Sequence, residues 1–371
     1  MLSVNEVFRQ DGPEYLARFG DRMLPSHRHA LDDLVACRTA AMGGQVLGCQ
    51  ACGHHQYVYH SCRNRACPQC HEAQTRDWLA ARARELLPVP YFHLVFTLTG
   101  QLRQLAASEQ SAVLGALMTA AAEALQKLAR DPRFAGGKIG ILAVLHTWTR
   151  ALAWHPHVHL LVPGLVLLPD RQWRVLAGNF LVPVRALSPI FRAKFAAQVR
   201  RRLPETKLPD RVFEKDWVVF CRGCAEGPKR VLDYLARYVC RGPLTGRRLE
   251  SAGPGRVRLH YRHRDTGKPC TAHFTTTEFM RRYLQHTLPQ GFHRVRYYGL
   301  WAPANRQNLC ALQLQMAPGL RERAEALVQA SAPASAPARV CPRCGSTSFV
   351  LLSRWRRGDS PPPTPGCRGP P

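Results

Sequence analysis

Three histidines occupy alternate positions in "AWHPHVHLLVPG", at His155, His157 and His159. Residues two apart on a β-strand share a face, so these imidazoles point one way while Trp154, Pro156 and Val158 point the other. Two neutral imidazoles so placed can grip one metal ion from the same side. Upstream, "KIGILAVLHTW" reads as a buried strand carrying His146. A hairpin turning near residues 151 and 152 pairs position 146 with about position 157 and adds a third imidazole to that face. His146, His157 and His159 are therefore the expected ligands of a catalytic divalent cation, Mg²⁺ or Mn²⁺. His155 is the rival for the third place. A His-x-His pair alone also suits an ordinary strand, so cross-strand His146 carries the argument.

Such a metal needs a reaction. The segment "PKRVLDYLARYVCRG" reads as a helix opened by Pro228 and closed at Gly242. Tyr234 and Tyr238 are four residues apart, hence on one helical face. The ordinary meaning of such a pair is a buried aromatic stripe. Here Lys229, Arg230, Arg237 and Arg241 make the helix basic. Nearby cations favour the phenolate of a group with an ordinary pKa of about 10, and a metal polarises a phosphate. Attack on a phosphodiester by Tyr234 or Tyr238 is the chemistry this set suggests.

The charge agrees. Lys and Arg number 52 against 25 Asp and Glu, a net of +27. That excess favours a polyanion, most simply nucleic acid, over a generally basic but unspecialised surface. No G-x-x-x-x-G-K-[ST] loop occurs, so nothing argues for ATP. No uninterrupted apolar run reaches the ~18 residues a membrane span needs, and "MLSVNEVFRQDG" is not a signal peptide. A cytosolic location, with no membrane partner, is expected.

Fourteen cysteines in such a compartment are not expected to form disulfides. Cys49-x-x-Cys52 and Cys67-x-x-Cys70 lie fourteen residues apart, and two such knuckles can offer four thiolates to one structural zinc. Gly53 relieves crowding in the first turn. Cys37 and Cys62 remain as ligands of a second zinc or as spare thiols. A unit this small cannot build much core, so zinc would supply its folding energy. Arg63 and Arg65 lie within it, as nucleic-acid contacts or as a solvated face. Cys341 and Cys344 form another close pair with no evident partner.

These residues need a frame. Residues 1–36 read as helical, followed by the cysteine window and a polar helix. "YFHLVFTLTG" is a buried strand, and an Ala/Leu-rich helix covers about 102–130. A helix near 187–203 has Ser188 as N-cap and Pro189 at its first position. "DRVFEKDWVVFCR" reads as a strand. A hairpin turns near residues 265–268, and a helix over 276–287 opens with the capping box Thr275 and Glu278. Strands alternating irregularly with helices and hairpins indicate an α+β fold with an antiparallel sheet. Three segments are expected: a helical and zinc-binding unit, 1–88; a catalytic unit, 89–312; and 313–371, a linker, the CPRC pair and a disordered Pro-rich tail.

The combination resembles a known family. The His-x-His pair followed by two tyrosines four apart is similar to the HUH nucleases, which cut single-stranded DNA and leave a 5′-phosphotyrosine. More closely, nearly the whole chain resembles the two-tyrosine transposases of the insertion sequence 91 family. The resemblance rests on "CRTAAMGGQVLGCQACGH", "SCRNRACPQC", "HTW", "HPHVHLLVPG", "YLARYVCR" and "EFMRRYLQHTLPQGFHRVRYYGLWA". It implies an HUH-type catalytic domain behind a zinc-binding domain. It also implies rolling-circle transposition, with single-stranded element ends and target DNA as partners, in the bacterial nucleoid. The family often places His before the second CPxC pair, where this chain has Ala66. A relaxase or replication initiator would use the same chemistry. A non-catalytic, zinc-dependent DNA-binding protein or a decayed transposase would not need both tyrosines and the histidine pair.

Overall fold

The computed structural model describes residues 2–83, 85–170, 172–176, 181–225, 243–244, 248–263, 266–316 and 339–362. Two helices open the chain, α1 (Val4–Phe19) and α2 (Pro25–Ala36). Ser3 caps α1 in a reciprocal box with Glu6, and Pro25 supplies the fixed φ that starts α2. A hairpin follows, β1 (Gly44–Cys49) and β2 (His55–Tyr59), and then α3 (Pro68–Ala83).

The catalytic unit expected from sequence is built on one five-stranded antiparallel sheet. Its members are β3 (Tyr91–Thr97), β5 (Ile141–Trp148), β6 (Trp154–Pro163), β9 (Val219–Ala225) and β13 (Val295–Tyr298). The spatial order is β13-β5-β6-β3-β9. Two small sheets accompany it. One joins β4 (Lys138–Ile139), β7 (Leu165–Leu167) and β8 (Trp173–Val175). The other joins β10 (Leu249–Ser251), β11 (Arg256–Arg262) and β12 (Pro269–Thr275). The α+β antiparallel expectation holds.

Strand alternation divides the large sheet. Phe92, Leu94, Phe96, Leu145, Val158 and Leu160 point into a core with α5 (Gln110–Ala129) and α6 (Val184–Arg202). Burying each such side chain stabilises by about 1.5–3 kcal/mol. Helix α5 is the one described helix long and apolar enough to cross a membrane, and here it is the core helix of the sheet. The opposite face carries Tyr91, Leu142, Val144 and Leu161 in a second core, closed by Leu300, Trp301 and the helix Arg306–Met316. A third core joins α1 and α2 to β10–β12 and the helix Thr276–Leu284, with Leu152, at the tip of the β5–β6 hairpin, inserted into it.

Several boundaries differ from the sequence reading. The Ala/Leu-rich segment is two helices, α4 (Arg103–Ser108) and α5, because Glu109 (φ −110°, ψ 48°) leaves the helical region. Helix α6 starts at Val184, so Ser188 is not its cap and Pro189 lies inside it. The Ser188 hydroxyl instead accepts the Trp217 backbone N–H (2.8 Å), fixing the approach to β9. Of "DRVFEKDWVVFCR", only the part from Val219 is strand. At Thr275, the hydroxyl caps Glu278 N–H as expected, but the Glu278 carboxylate turns to Arg281 and Arg282 rather than closing a box. The largest correction concerns the C-terminal segment: Phe349–Trp355 is a strand, β14, paired antiparallel with β1. Residues 363–371 lie outside the described residues.

Candidate metal centre and cysteine clusters

The histidine face is built by the β5–β6 register. His146 sits opposite His157, and Val144 opposite His159. A short turn makes this pairing possible. Leu152 takes φ 59°, and the Thr149 and Ala153 backbones bond across it (3.0 Å). One ring nitrogen each from His146, His157 and His159 lie within 4.8 Å of one another, close enough to share one ion. His155 shares the strand face but is outside this trio. Its backbone carbonyl accepts from His157 Nδ1 (2.7 Å), which fixes the proton on Nδ1 and leaves the Nε2 lone pair for a metal.

His93 is the site residue that sequence reasoning missed. It lies on β3, buried, with Nε2 2.8 Å from His159 Nδ1 and the two rings stacked at 5.1 Å. One ring nitrogen of His159 is thereby engaged, which leaves its Nε2 as the nitrogen open to a metal. The available signal was a lone histidine within the apolar "YFHLVF". Burial holds His159 well below its ordinary value and holds His93 at about 4, so both are neutral and able to donate lone pairs. Trp148 stacks on His146 (4.7 Å), and the Arg294 guanidinium lies 5.3 Å from the Trp148 ring centroid.

A cavity of about 950 Å³ lies between the cysteine module and the sheet; none of the four histidines lines it, and it meets the centre through Trp148, which stacks on His146. Its walls include Arg63, Arg65, Trp148, His286 and Arg294. Arg65 is spent structurally, donating to the carbonyls of Phe292 (2.6 Å) and Pro289 (2.8 Å). Tyr234, Tyr238, Lys229, Arg230, Arg237 and Arg241 lie outside the described residues.

Among the described residues eight cysteines form two quartets, and neither is the expected set. Cys49, Cys52, Cys67 and Cys70 are divided: Cys67 and Cys70 join Cys37 and Cys62, while Cys49 and Cys52 join Cys341 and Cys344. The β1–β2 hairpin explains the division. The first knuckle lies at its tip, whereas Cys37 and Cys62 flank its base, where Arg38 N–H bonds His60 O (3.1 Å). The six-residue strand β1 spans roughly 17–20 Å at ~3.4 Å per residue, too far for one ion.

In the basal quartet, Cys37–Cys70, Cys62–Cys70 and Cys67–Cys37 sulfurs are 3.5, 3.6 and 3.6 Å apart. A tetrahedron with metal–sulfur bonds of about 2.3 Å has edges of about 3.8 Å, so the four thiols fit zinc. Buried Asn5 donates to Cys67 Sγ (3.5 Å) and to Leu34 O (2.8 Å), tying the quartet to α1 and α2. The crowded thiols titrate unevenly. A hydrogen bond from Cys62 draws Cys67 down to about 5, and burial pushes Cys37 up to about 11.

Residues 7–98 match the family model described as "Transposase zinc-binding domain", and residues 140–308 match the one described as "Putative transposase". The chain is 35% identical over 394 aligned positions to the "Putative transposase y4qJ" of Sinorhizobium fredii, across 97% of each chain. It is 28% identical over 285 positions to the "Transposase for insertion sequence element IS801" of Pseudomonas savastanoi pv. phaseolicola, across 72% of this chain and 68% of that one. No solved structure matches it. The chain belongs to the insertion sequence 91 family of transposases.

Proposed function

We propose that this transposase cuts and rejoins single-stranded DNA at the ends of a mobile element through a 5′-phosphotyrosine. The observation that carries the proposal is the convergence of His146, His157 and His159 on one point, with the tautomer of His157 set by the His155 carbonyl. A divalent cation held there, Mg²⁺ or Mn²⁺, would orient the scissile phosphate and stabilise charge on its oxygens. His93 holds the His159 ring in its ligating orientation. Tyr234 and Tyr238 are the proposed nucleophiles. The attacking phenol gives up its proton, its oxygen bonds to phosphorus, and the 3′-oxygen of the neighbouring nucleotide leaves as a hydroxyl. The phosphotyrosine conserves the bond energy, so the freed 3′-hydroxyl of another strand can reverse the step without an external energy source. A second tyrosine permits another cleavage while the first is occupied.

The cavity that meets the centre through Trp148 is a candidate path for a single strand. Arg63 and Arg294 offer charge to phosphates, and Trp148 offers an aromatic face to a base. The test is incubation of the protein with labelled single-stranded element ends and Mg²⁺ or Mn²⁺. A denaturant-resistant covalent adduct that disappears with EDTA is expected. Cleavage that survives EDTA, or that leaves no adduct, would overturn the reading.

A further inference from the structure

We propose that Cys49, Cys52, Cys341 and Cys344 bind a zinc ion of their own, which clasps the C-terminal segment to the N-terminal hairpin. Neither family match includes both halves, since the matched segments end at residues 98 and 308. The two halves are 292 residues apart in sequence, from Cys49 to Cys341.

Their local geometry is the same. Each is Cys-x-x-Cys-Gly. In the first, Gly53 N–H bonds Cys49 O (2.9 Å) and Cys49 N–H bonds His54 O (2.9 Å). In the second, Gly345 N–H bonds Cys341 O (2.9 Å) and Cys341 N–H bonds Ser346 O (2.8 Å). Both glycines take positive φ, 68° and 74°, in open space, so the turn needs glycine for its backbone rather than for room. Two matched knuckles face each other with Cys49–Cys344 and Cys52–Cys341 sulfurs 3.6 and 3.7 Å apart. Those separations suit the edges of a zinc tetrathiolate and exceed the ~2.05 Å of a disulfide.

The strands behind the knuckles make the pair a unit. β14 adds to β1, giving a three-stranded ribbon in the order β14-β1-β2. At the end away from the knuckles, Trp355 packs edge-on against Tyr57 and Tyr59, and its Nε1–H donates to Ala40 O (3.1 Å). Arg357 reaches buried Asp33 on α2 (2.9 Å). Packing thus holds one end of the ribbon, and the cysteine quartet closes the other. Four thiols would release their protons to solvent as zinc binds.

The experiment exploits Cys344, which is exposed. The full-length, zinc-loaded protein is treated with iodoacetamide, and the modified cysteines are mapped by mass spectrometry. Cys344 and Cys52 should resist alkylation until a strong chelator removes the zinc, and then react. A Cys341→Ser/Cys344→Ser variant should carry one zinc fewer per chain by elemental analysis, and β1 amides should exchange faster. Prompt alkylation of Cys344 in the zinc-loaded protein would overturn the proposal. So would resistance that yields to a reductant but not to a chelator, because that marks a disulfide.

Discussion

His146 stands directly across the β5–β6 pair from His157, with ring centroids 5.5 Å apart. The third imidazole of the centre therefore comes from the neighbouring strand. His155, one step further along β6, is left to hold His157 through its backbone carbonyl. Alanine at His157 or His159 should abolish adduct formation while single-stranded DNA binding largely survives. Alanine at His155 should retain cleavage, since the hydrogen bond that sets the His157 tautomer goes to a main-chain oxygen that alanine keeps. Adduct assays beside gel-shift titrations check this set. Full cleavage by the His157→Ala/His159→Ala protein would remove the metal centre from the mechanism.

In the proposed centre His93 would act through His159, to which it is hydrogen-bonded. Replacing it with Phe keeps the bulk but removes the 2.8 Å bond. Affinity for Mn²⁺, measured by calorimetry, should fall about 10–100-fold, the usual loss when a ligand's supporting partner is removed. His93→Gln, which can still bond His159 Nδ1, should recover part of it. Equal affinity in all three proteins would make His93 merely a core residue.

How much of this centre was legible is clear from its parts. Alternation in "HPHVH" and the length of the turn sufficed for the 146–157 register, because side-chain direction and hairpin closure are local rules. His93 reaches the site from a strand distant in sequence, and only sheet order reveals it. The cysteines misled because proximity in sequence suggested proximity in space, whereas an extended strand separates Cys49 from Cys37 and Cys62. The segment after the CPRC pair read as unstructured because β14 depends on β1 and Trp355 on Tyr57 and Tyr59, partners some 300 residues away. Tertiary contacts of that kind override composition.

Half-buried His27 and buried His286 contribute an acid limit on stability away from the histidine trio. Burial holds His27 at about 4 and His286 at about 3. His286 is neutral in place, its Nδ1 facing the Thr147 hydroxyl (3.1 Å) and its Nε2 facing Leu152 O (3.4 Å). In the unfolded chain both titrate near the ordinary value of about 6.5. Above that pH neither state is charged, and their contribution does not change. As pH falls from about 6.5 towards 4, the unfolded chain takes up protons that the fold refuses, so stability drops. The slope approaches about 1.4 kcal/mol per pH unit for each proton. Urea midpoints should fall across that window, and His286→Gln should shallow the fall. An unchanged profile in that variant would contradict the assignment.

Tyr283 offers a control. It is fully buried, its hydroxyl donates to Ala66 O (2.6 Å), and burial pushes its phenol well above the ordinary range. Tyr283→Phe should lose about 1 kcal/mol of stability, the usual net value of one buried hydrogen bond, as read from urea denaturation. Its adduct yield should equal that of the wild type once both are folded. Loss of the adduct in a folded Tyr283→Phe protein would point to that residue as a nucleophile.

In the proposed reaction Tyr234 or Tyr238 attacks DNA at the histidine-bound cation. Peptide mapping of the trapped covalent adduct tests it most directly. A nucleotide is expected on Tyr234 or Tyr238 in the wild-type protein. None is expected in the Tyr234→Phe/Tyr238→Phe protein, which should still fold and bind single-stranded DNA. A nucleotide on Tyr261, Tyr283 or Tyr297, or an undiminished adduct in the double variant, would contradict it.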